Sequence, residues 1–571
     1  MNGTKPKSMV WIWCIVLALP SLIPLAMHFK FAGNANEFAT GFIQNDQPYY
    51  MANAREHFDS GSFQWTYGNP NDWKSDSPRI YFQPQTLLLG AIRDVTGADP
   101  ALIFGIFGFV FAVLTVRVAW LLLREFLPDF ESSTPFILCL FLWGGGCFAL
   151  AGLATMFLAP QANRELYDYV TLYDPFQGWW FLNLGRNLIF PTESYYHFLF
   201  LAGALMLARG KHTAAILIGL LISISHPFTG VEYLAIAAMW LFLERVFWQQ
   251  KSTTWLAVVA AFTLLFLHVG YYQVWLNGFT AHRKLHEVWE LAWEYKAVPM
   301  VLAYGLVAGF AIWNCRTANL ATTFLSESKN RLLVVWFLVA FLLANHEFFM
   351  KSTQPLHFTR GYVWTPLFLA GAVTIQKLLS FLGSIKSSKL AMAVVLVVFC
   401  LDNATWLCMC SIDGRHNSGH TRTDFRAVMS ALNEHPAGNN AVVVSNSRLL
   451  SYLSTVYTPH DSFVGHGYLT PDVEQNWDAT RKFLKYSEPL TVLDGYTQLF
   501  VMDQNGAFVT EENFNIIVQR VRAAYEKNKF AIKVLHETDS FVVWSCTQSD
   551  AQVHDLANSV TGIAKEPGDG H

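Results

Sequence analysis

The chain predicts an α-helical polytopic membrane protein, with about eleven transmembrane helices and a soluble α/β domain at its C-terminal end. Three observations carry this. Long apolar segments recur through residues 1–410, and a run of ~20 apolar residues crosses a hydrocarbon core of ~30 Å. The composition is 53% hydrophobic and 14% charged over 571 residues, with a mean hydropathy of +0.28. That balance fits a membrane protein diluted by a water-soluble part. Residues 411–550 then change to alternating strand-like and helix-like runs. Residues 551–571 have too few apolar side chains to build a core and are expected to be disordered. A net charge of −3 offers no nucleic-acid surface. The 20 Trp read first as interfacial anchors.

Lys5 and Lys7 precede the first apolar run, as in a signal peptide. That run is about twenty residues long and no small-residue cleavage site follows, so it is read as a retained helix. The expected spans are 9–28, 99–123, 134–157, 194–208, 213–231, 232–246, 254–274, 298–314, 332–348, 361–378 and 389–407. Alternate loops between them collect the basic residues: Lys5 and Lys7; Arg117 and Arg124; Arg209 and Lys211; Arg245 and Lys251; Arg316, Lys329 and Arg331; Lys377, Lys386 and Lys389. The positive-inside rule puts that side, and the N-terminus, in the cytoplasm. An odd number of spans then puts the C-terminal domain outside. No eukaryotic sorting signal stands out, so the expected location is a bacterial inner membrane with a periplasmic domain.

The long loops, 29–98, 158–193, 275–297 and 349–360, fall on the outer side. Tyr81 to Arg93 is apolar but too short to span and reads as an interfacial helix, and Trp179 to Phe190 reads likewise. Gly144-Gly145-Gly146 inside the third span reads as close helix packing rather than phosphate binding. In the C-terminal part, 441–445, 498–502, 530–534 and 540–545 read as strands, and 424–435 and 479–486 as helices. Cys408, Cys410 and Cys546 read as free thiols, although an extracytoplasmic disulfide stays open. Asn2-Gly-Thr4 and Asn403-Ala-Thr405 match the glycosylation pattern as chance would produce it.

Several polar residues stand where chemistry is possible. Asp46 lies just beyond the first span, before a helical stretch from Tyr49 to Phe58; the bland alternative is an N-cap. Glu193 and His197 lie four apart on one helix face, able to form an acid/base or metal pair, and Thr192 or Ser194 would be plain caps. Arg186 is the best phosphate candidate of that loop, being bidentate-capable. Ser225-His226-Pro227, with Glu232 nearby, interrupts an apolar stretch, and an intramembrane His and Glu at a break are functional by default. A satisfied structural His is the competing reading. Lys351 and Arg360 are the cations of the fourth outer loop, either phosphate partners or interfacial anchors. Thr280 to Glu287 is charged and reads as solvated or as a lid. There is no Walker loop, dinucleotide fingerprint or H-E-x-x-H.

The stretch Asp46 to Phe63, with Tyr50, Ala54, Arg55 and Gly61, resembles the first outer loop of the GT-C superfamily of membrane glycosyltransferases. Tyr81-Phe-Gln-Pro-Gln is similar to that family's short interfacial helix, and the layout of spans plus an outer domain is similar too. The resemblance covers residues 1–410. It implies an inverting transfer of a sugar from a polyprenyl-phosphate donor to a lipid, glycan or protein acceptor on the outer face. It also implies that Asp46 is the general base, that Tyr50 and Arg55 belong to the substrate site, and that Arg360 resembles the family's contact to the lipid-linked phosphate. In proteins that look like this one a G-H-x-x-x-T segment occurs in the outer domain, here Gly465 to Thr470, which places His466 at the acceptor; a loop merely packed on the membrane half is the alternative. Many members show two adjacent acids, whereas Asn45-Asp46 offers one, so the sequence requires no metal and leaves a divalent cation open. A ligase moving whole glycans from a lipid diphosphate is a chemical neighbour. The rival from another class is a lipid or sugar transporter, which usually shows internal repeats; a scaffold with an outer ligand-binding domain is a third. The sugar and the acceptor are not legible.

Overall fold

The computed structural model describes residues 7–59, 63–74, 78–127, 134–174, 182–287, 296–319, 323–384, 388–412, 419–436, 441–509 and 514–548. Gly61, the start of the segment from Trp179, and the polar tail at 551–571 lie outside these. The side chain of Cys410 does too; Cys408 and Cys546 carry free thiols, Cys546 within a core.

Helices occupy every expected span. Among the described residues six are long and apolar enough to cross a membrane, or seven with one bent pair, which makes this a multi-pass membrane protein. The other expected spans are helices that are shorter or more polar: Pro191–Ala208 opens on Pro-Thr-Glu-Ser, and His212–Ser223 has 12 residues. The expected span 213–231 is in fact cut at its far end. His226 is extended and Pro227 begins the next helix, Pro227–Val246, because Pro has no N–H to give and fits the first helical turn.

The expected span 134–157 is also broken, into Thr134–Trp143 and Phe148–Leu158, bent by 71°. Glycines permit this: a Cβ on Gly144 would lie 2.6 Å from the Phe399 ring, and one on Gly146 would lie 2.2 Å from the Leu302 carbonyl. Backbone opened inside a membrane needs protein partners. The Asp402 carboxylate accepts the N–H groups of Phe148 at 3.2 Å and Ala149 at 2.8 Å. Asn403 Nδ2 donates to the Trp143 carbonyl at 2.7 Å. Asn403 is therefore a buried part of the helix Ser388–Ile412, not an exposed glycan acceptor.

The first long loop folds back on itself. Helix Gln47–Glu56 packs on Pro84–Thr96, the expected interfacial helix. A Cβ on Gly90 would sit 2.2 Å from the Ala54 carbonyl, so only Gly admits this approach. Strand β1 (Phe38–Ala39) of the loop pairs antiparallel with β2 (His420–Thr421) at the head of the C-terminal part.

The C-terminal part is a five-stranded sheet of β3 (Ala441–Ser445), β4 (Asp461–Ser462), β5 (Thr497–Asp503), β6 (Phe530–Glu537) and β7 (Phe541–Gln548), in the order β4-β3-β5-β7-β6. β3 is parallel to β4 and β5; β7 is antiparallel to β5 and β6. Two of its helices, Arg448–Tyr457 and Phe514–Lys527, go beyond the sequence expectation, and the expected helix 479–486 extends back to Val473.

Candidate active site

Asp46 precedes the helix Gln47–Glu56, but its carboxylate makes no capping bond. The capping alternative therefore fails. Its Oδ1 instead accepts a hydrogen bond of 2.9 Å from His466 Nε2, across 420 residues of sequence. The two side chains differ sharply in exposure: 51% for Asp46 and 2% for His466. The backbone N–H of Tyr468 donates to His466 Nδ1 at 3.1 Å. Nδ1 is thus an acceptor, so in the neutral ring the proton sits on Nε2 and points at Asp46. Among the described residues the remaining Asp46 oxygen, Oδ2, has only Gln44 Nε2 at 3.5 Å, which is too long to hold it firmly.

The first loop grips the loop that carries His466. Asn71 Oδ1 accepts the His466 N–H at 3.2 Å, and Asn69 Nδ2 donates to the Leu469 carbonyl at 2.7 Å. Lys74 pairs with Asp472 at 3.1 Å. Thr470 Oγ1 takes the Gly465 N–H at 3.2 Å, closing the Gly-His-Gly-Tyr-Leu-Thr turn. From the other side the Tyr452 hydroxyl donates to the Asn45 carbonyl at 2.9 Å. The rings of Tyr49 and Tyr452 stand 6.0 and 5.5 Å from the His466 ring.

A second group lies deeper. Glu193 and Arg360, both buried, form an ion pair. The expected Glu193–His197 partnership does not form. The Arg360 cation claims the carboxylate, and the His197 Nδ1 faces the Tyr362 hydroxyl at 3.2 Å. A buried carboxylate is costly without a cation beside it, which is the physical reason Glu193 pairs with the turn that carries Arg360. Neither Thr192 nor Ser194 caps the helix: its cap position is Phe190, without a side-chain bond. Arg360 has φ +21° and Gly361 φ +79°, a tight turn before the helix Trp364–Gly383. The charges of both groups act on Tyr50. Its hydroxyl is pushed up by burial first, then by the charges of Asp46 and Glu193, while Arg360 pulls it down.

The other expected site residues take other partners. Arg55 is buried at the far end of its helix, about 13 Å along the axis from Asp46 at 1.5 Å per residue, and pairs with Asp59 at 2.7 Å. Its charge acts on Asp461, whose carboxyl is pushed up to about 7 by burial and by Glu56, against the pull of Arg55. Arg186 is buried rather than interfacial, with its guanidinium 4.1 Å from the Trp406 ring centre. Lys351 is exposed. His226 uses Nδ1 to accept the Thr229 N–H at 3.2 Å, capping its helix, and its ring stands 4.5 Å from that of Tyr196. His282, expected in solvated sequence, is buried in the short helix Thr280–Glu287, with Nδ1 2.9 Å from the Tyr81 hydroxyl. Tyr452, Tyr362, Asn69 and Asn71 had no sequence signal: none belongs to a recognisable motif, and each acts on a residue far away in the chain. Among the described residues no group of three or more His, Cys, Asp or Glu side chains is placed to hold a metal ion.

The fold and site define a polytopic membrane protein in which a loop from the helical part and an α/β unit meet at an Asp–His pair. No family model and no curated protein matches the chain. Among solved structures it is similar to the oligosaccharyltransferase of Archaeoglobus fulgidus. Against the apo form the identity is 11% and the TM-score 0.44, covering 95% of this chain and 75% of that one. Against the complex with Zn and sulfate the values are 10% and 0.45, covering 94% and 73%. Against the same organism's archaeal oligosaccharyltransferase AglB, with an inhibitory peptide and a dolichol-phosphate, they are 12% and 0.37, covering 95% and 75%. Identities this low transfer no residue role.

Proposed function

We propose that the chain is a membrane glycosyltransferase of GT-C type that moves a sugar from a polyprenyl-phosphate donor to a hydroxyl acceptor, with inversion. One observation carries this: an exposed carboxylate held at one oxygen by His466, Asp46, stands near enough to the buried Glu193–Arg360 pair that the charges of both act on Tyr50. Asp46 Oδ2 takes the proton of the acceptor hydroxyl as its oxygen attacks the anomeric carbon. The bond from that carbon to the phosphate oxygen breaks, and its electrons leave with the lipid phosphate. Arg360 answers the charge that develops there. Glu193 holds Arg360 in the resting chain, so an arriving phosphate shares or displaces that carboxylate. The basic loops support a topology with Asp46 and the α/β domain on the extracytoplasmic face, in our reading of a bacterial inner membrane. Residues 1–410 are the catalytic membrane domain and 411–550 the extracytoplasmic domain.

The test is a glycan and lipid-linked sugar profile of cells carrying the wild-type chain, no chain, or Asp46→Asn. Loss of one glycan in both the null and D46N strains, with the same polyprenyl-linked sugar accumulating and D46N protein still inserted, is the expected result and names the sugar. D46N behaving as wild type sinks the proposal and favours a transporter or scaffold.

A further inference from the structure

We infer that His466 is the positioning residue of the Asp46 base, so that the C-terminal domain completes the catalytic apparatus through one hydrogen bond; this rests on the transferase reading above. An exposed carboxylate rotates freely about its terminal torsion, whose well is broad. Asp46 is half exposed, yet its Oδ1 is held at 2.9 Å by a ring that is 2% exposed. The ring cannot turn away without releasing the Tyr468 N–H from Nδ1, and the aromatic rings of Tyr49 and Tyr452 flank it. The bond to Oδ1 leaves Oδ2 as the oxygen that faces an acceptor. In the reaction the hydroxyl proton passes to Oδ2 while His466 keeps its own proton on Nε2, so no second proton moves. The His466 loop is anchored by Asn69, Asn71 and Lys74, all from the loop that carries Asp46. Base and orienter are thus built as one unit from the two ends of the chain.

The experiment uses the full chain in lipid nanodiscs, with the polyprenyl-linked sugar extract of the null strain as donor, diluted in series. Wild type, D46N, H466A and H466Q are compared for maximal rate, half-saturating extract and unfolding temperature. A base misplaced by ~1 Å costs ~100-fold. H466A is therefore expected to lose about 100-fold in maximal rate, with half-saturation shifted less than about twofold. Gln sets an amide N–H near the Nε2 position, so H466Q recovers to within about fivefold of wild type. H466A within about threefold of wild type while D46N is inactive overturns the positioning role and leaves the base intact. H466A and H466Q equally slow, with equally lowered unfolding temperatures, also overturns it, since His466 would then be packing alone. D46N as active as wild type overturns the transferase reading itself.

Discussion

The Glu193–Arg360 pair predicts a large coupling energy. Both residues are buried, Glu193 at 7% exposure and Arg360 at 3%. Two unit charges ~4 Å apart at an effective dielectric of ~20 attract by ~4 kcal/mol. Removing one partner of a buried pair costs about 3–5 kcal/mol, because the other charge is stranded. Glu193→Gln and Arg360→Met should each destabilise by about that amount. The double variant strands no charge and should cost much less than the sum, leaving a coupling of about 3 kcal/mol, or roughly 140-fold in the folding equilibrium. The assay is unfolding of all four proteins by SDS in mixed micelles, followed by tryptophan fluorescence. Single-variant costs that add to the double within about 0.5 kcal/mol would refute the pairing.

Two further outcomes rest on the same physics. Asp461 holds its proton in the folded chain up to about 7, whereas an unfolded Asp loses it near ~3.9. The folded chain binds more protons between those values, so this group makes stability fall as pH rises through that window. Asp461→Asn should therefore unfold at a higher temperature than wild type at pH 8, with the gap closing toward pH 4; a gap independent of pH refutes the assignment. Glu56, Asp59 and Asp72 bear on Asp461 in the same direction and Arg55 in the opposite one. His460, held down to about 4 by burial, has the opposite slope and cancels between the two proteins. Asp402→Ala strands the N–H groups of Phe148 and Ala149 and should cost about 1–3 kcal/mol for each. Asp402→Asn keeps an acceptor oxygen and should cost less. Equal losses for the two variants, measured by the same SDS titration, would mean that the break is held by something else.

Residue patterns that repeat over one or two helical turns were readable. The apolar runs marked where the long helices of the first 410 residues lie, β3 matched its predicted limits at Ala441–Ser445, and the loop helix expected from Tyr81 to Arg93 runs Pro84–Thr96. Asp46 was legible as a residue of interest, because an acid beyond an apolar run and ahead of a helical stretch is a local signal. Less was readable where the same local signal permits two structures. Gly144 to Gly146 fits a packed span or a broken one, and the bend was decided by Asp402 and Asn403 on a distant helix. Glu193 and His197 share a helix face, but their partners, Arg360 and Tyr362, lie 167 and 165 residues away.

The sequence by itself determined the membrane nature of the first 410 residues, the α/β character of residues 411–550, and which few side chains could do acid–base chemistry. Those properties come from hydrophobicity and backbone preference, which act between near neighbours. Only the tertiary structure decided that Asp46 is held by His466 and not by its own helix, and that Arg360 belongs to Glu193. It also decided that Arg55 pairs with Asp59. A carboxylate takes whichever strong partner the packed chain brings within hydrogen-bond reach, and that choice is made by topology over hundreds of residues, where spacing in the sequence carries no distance.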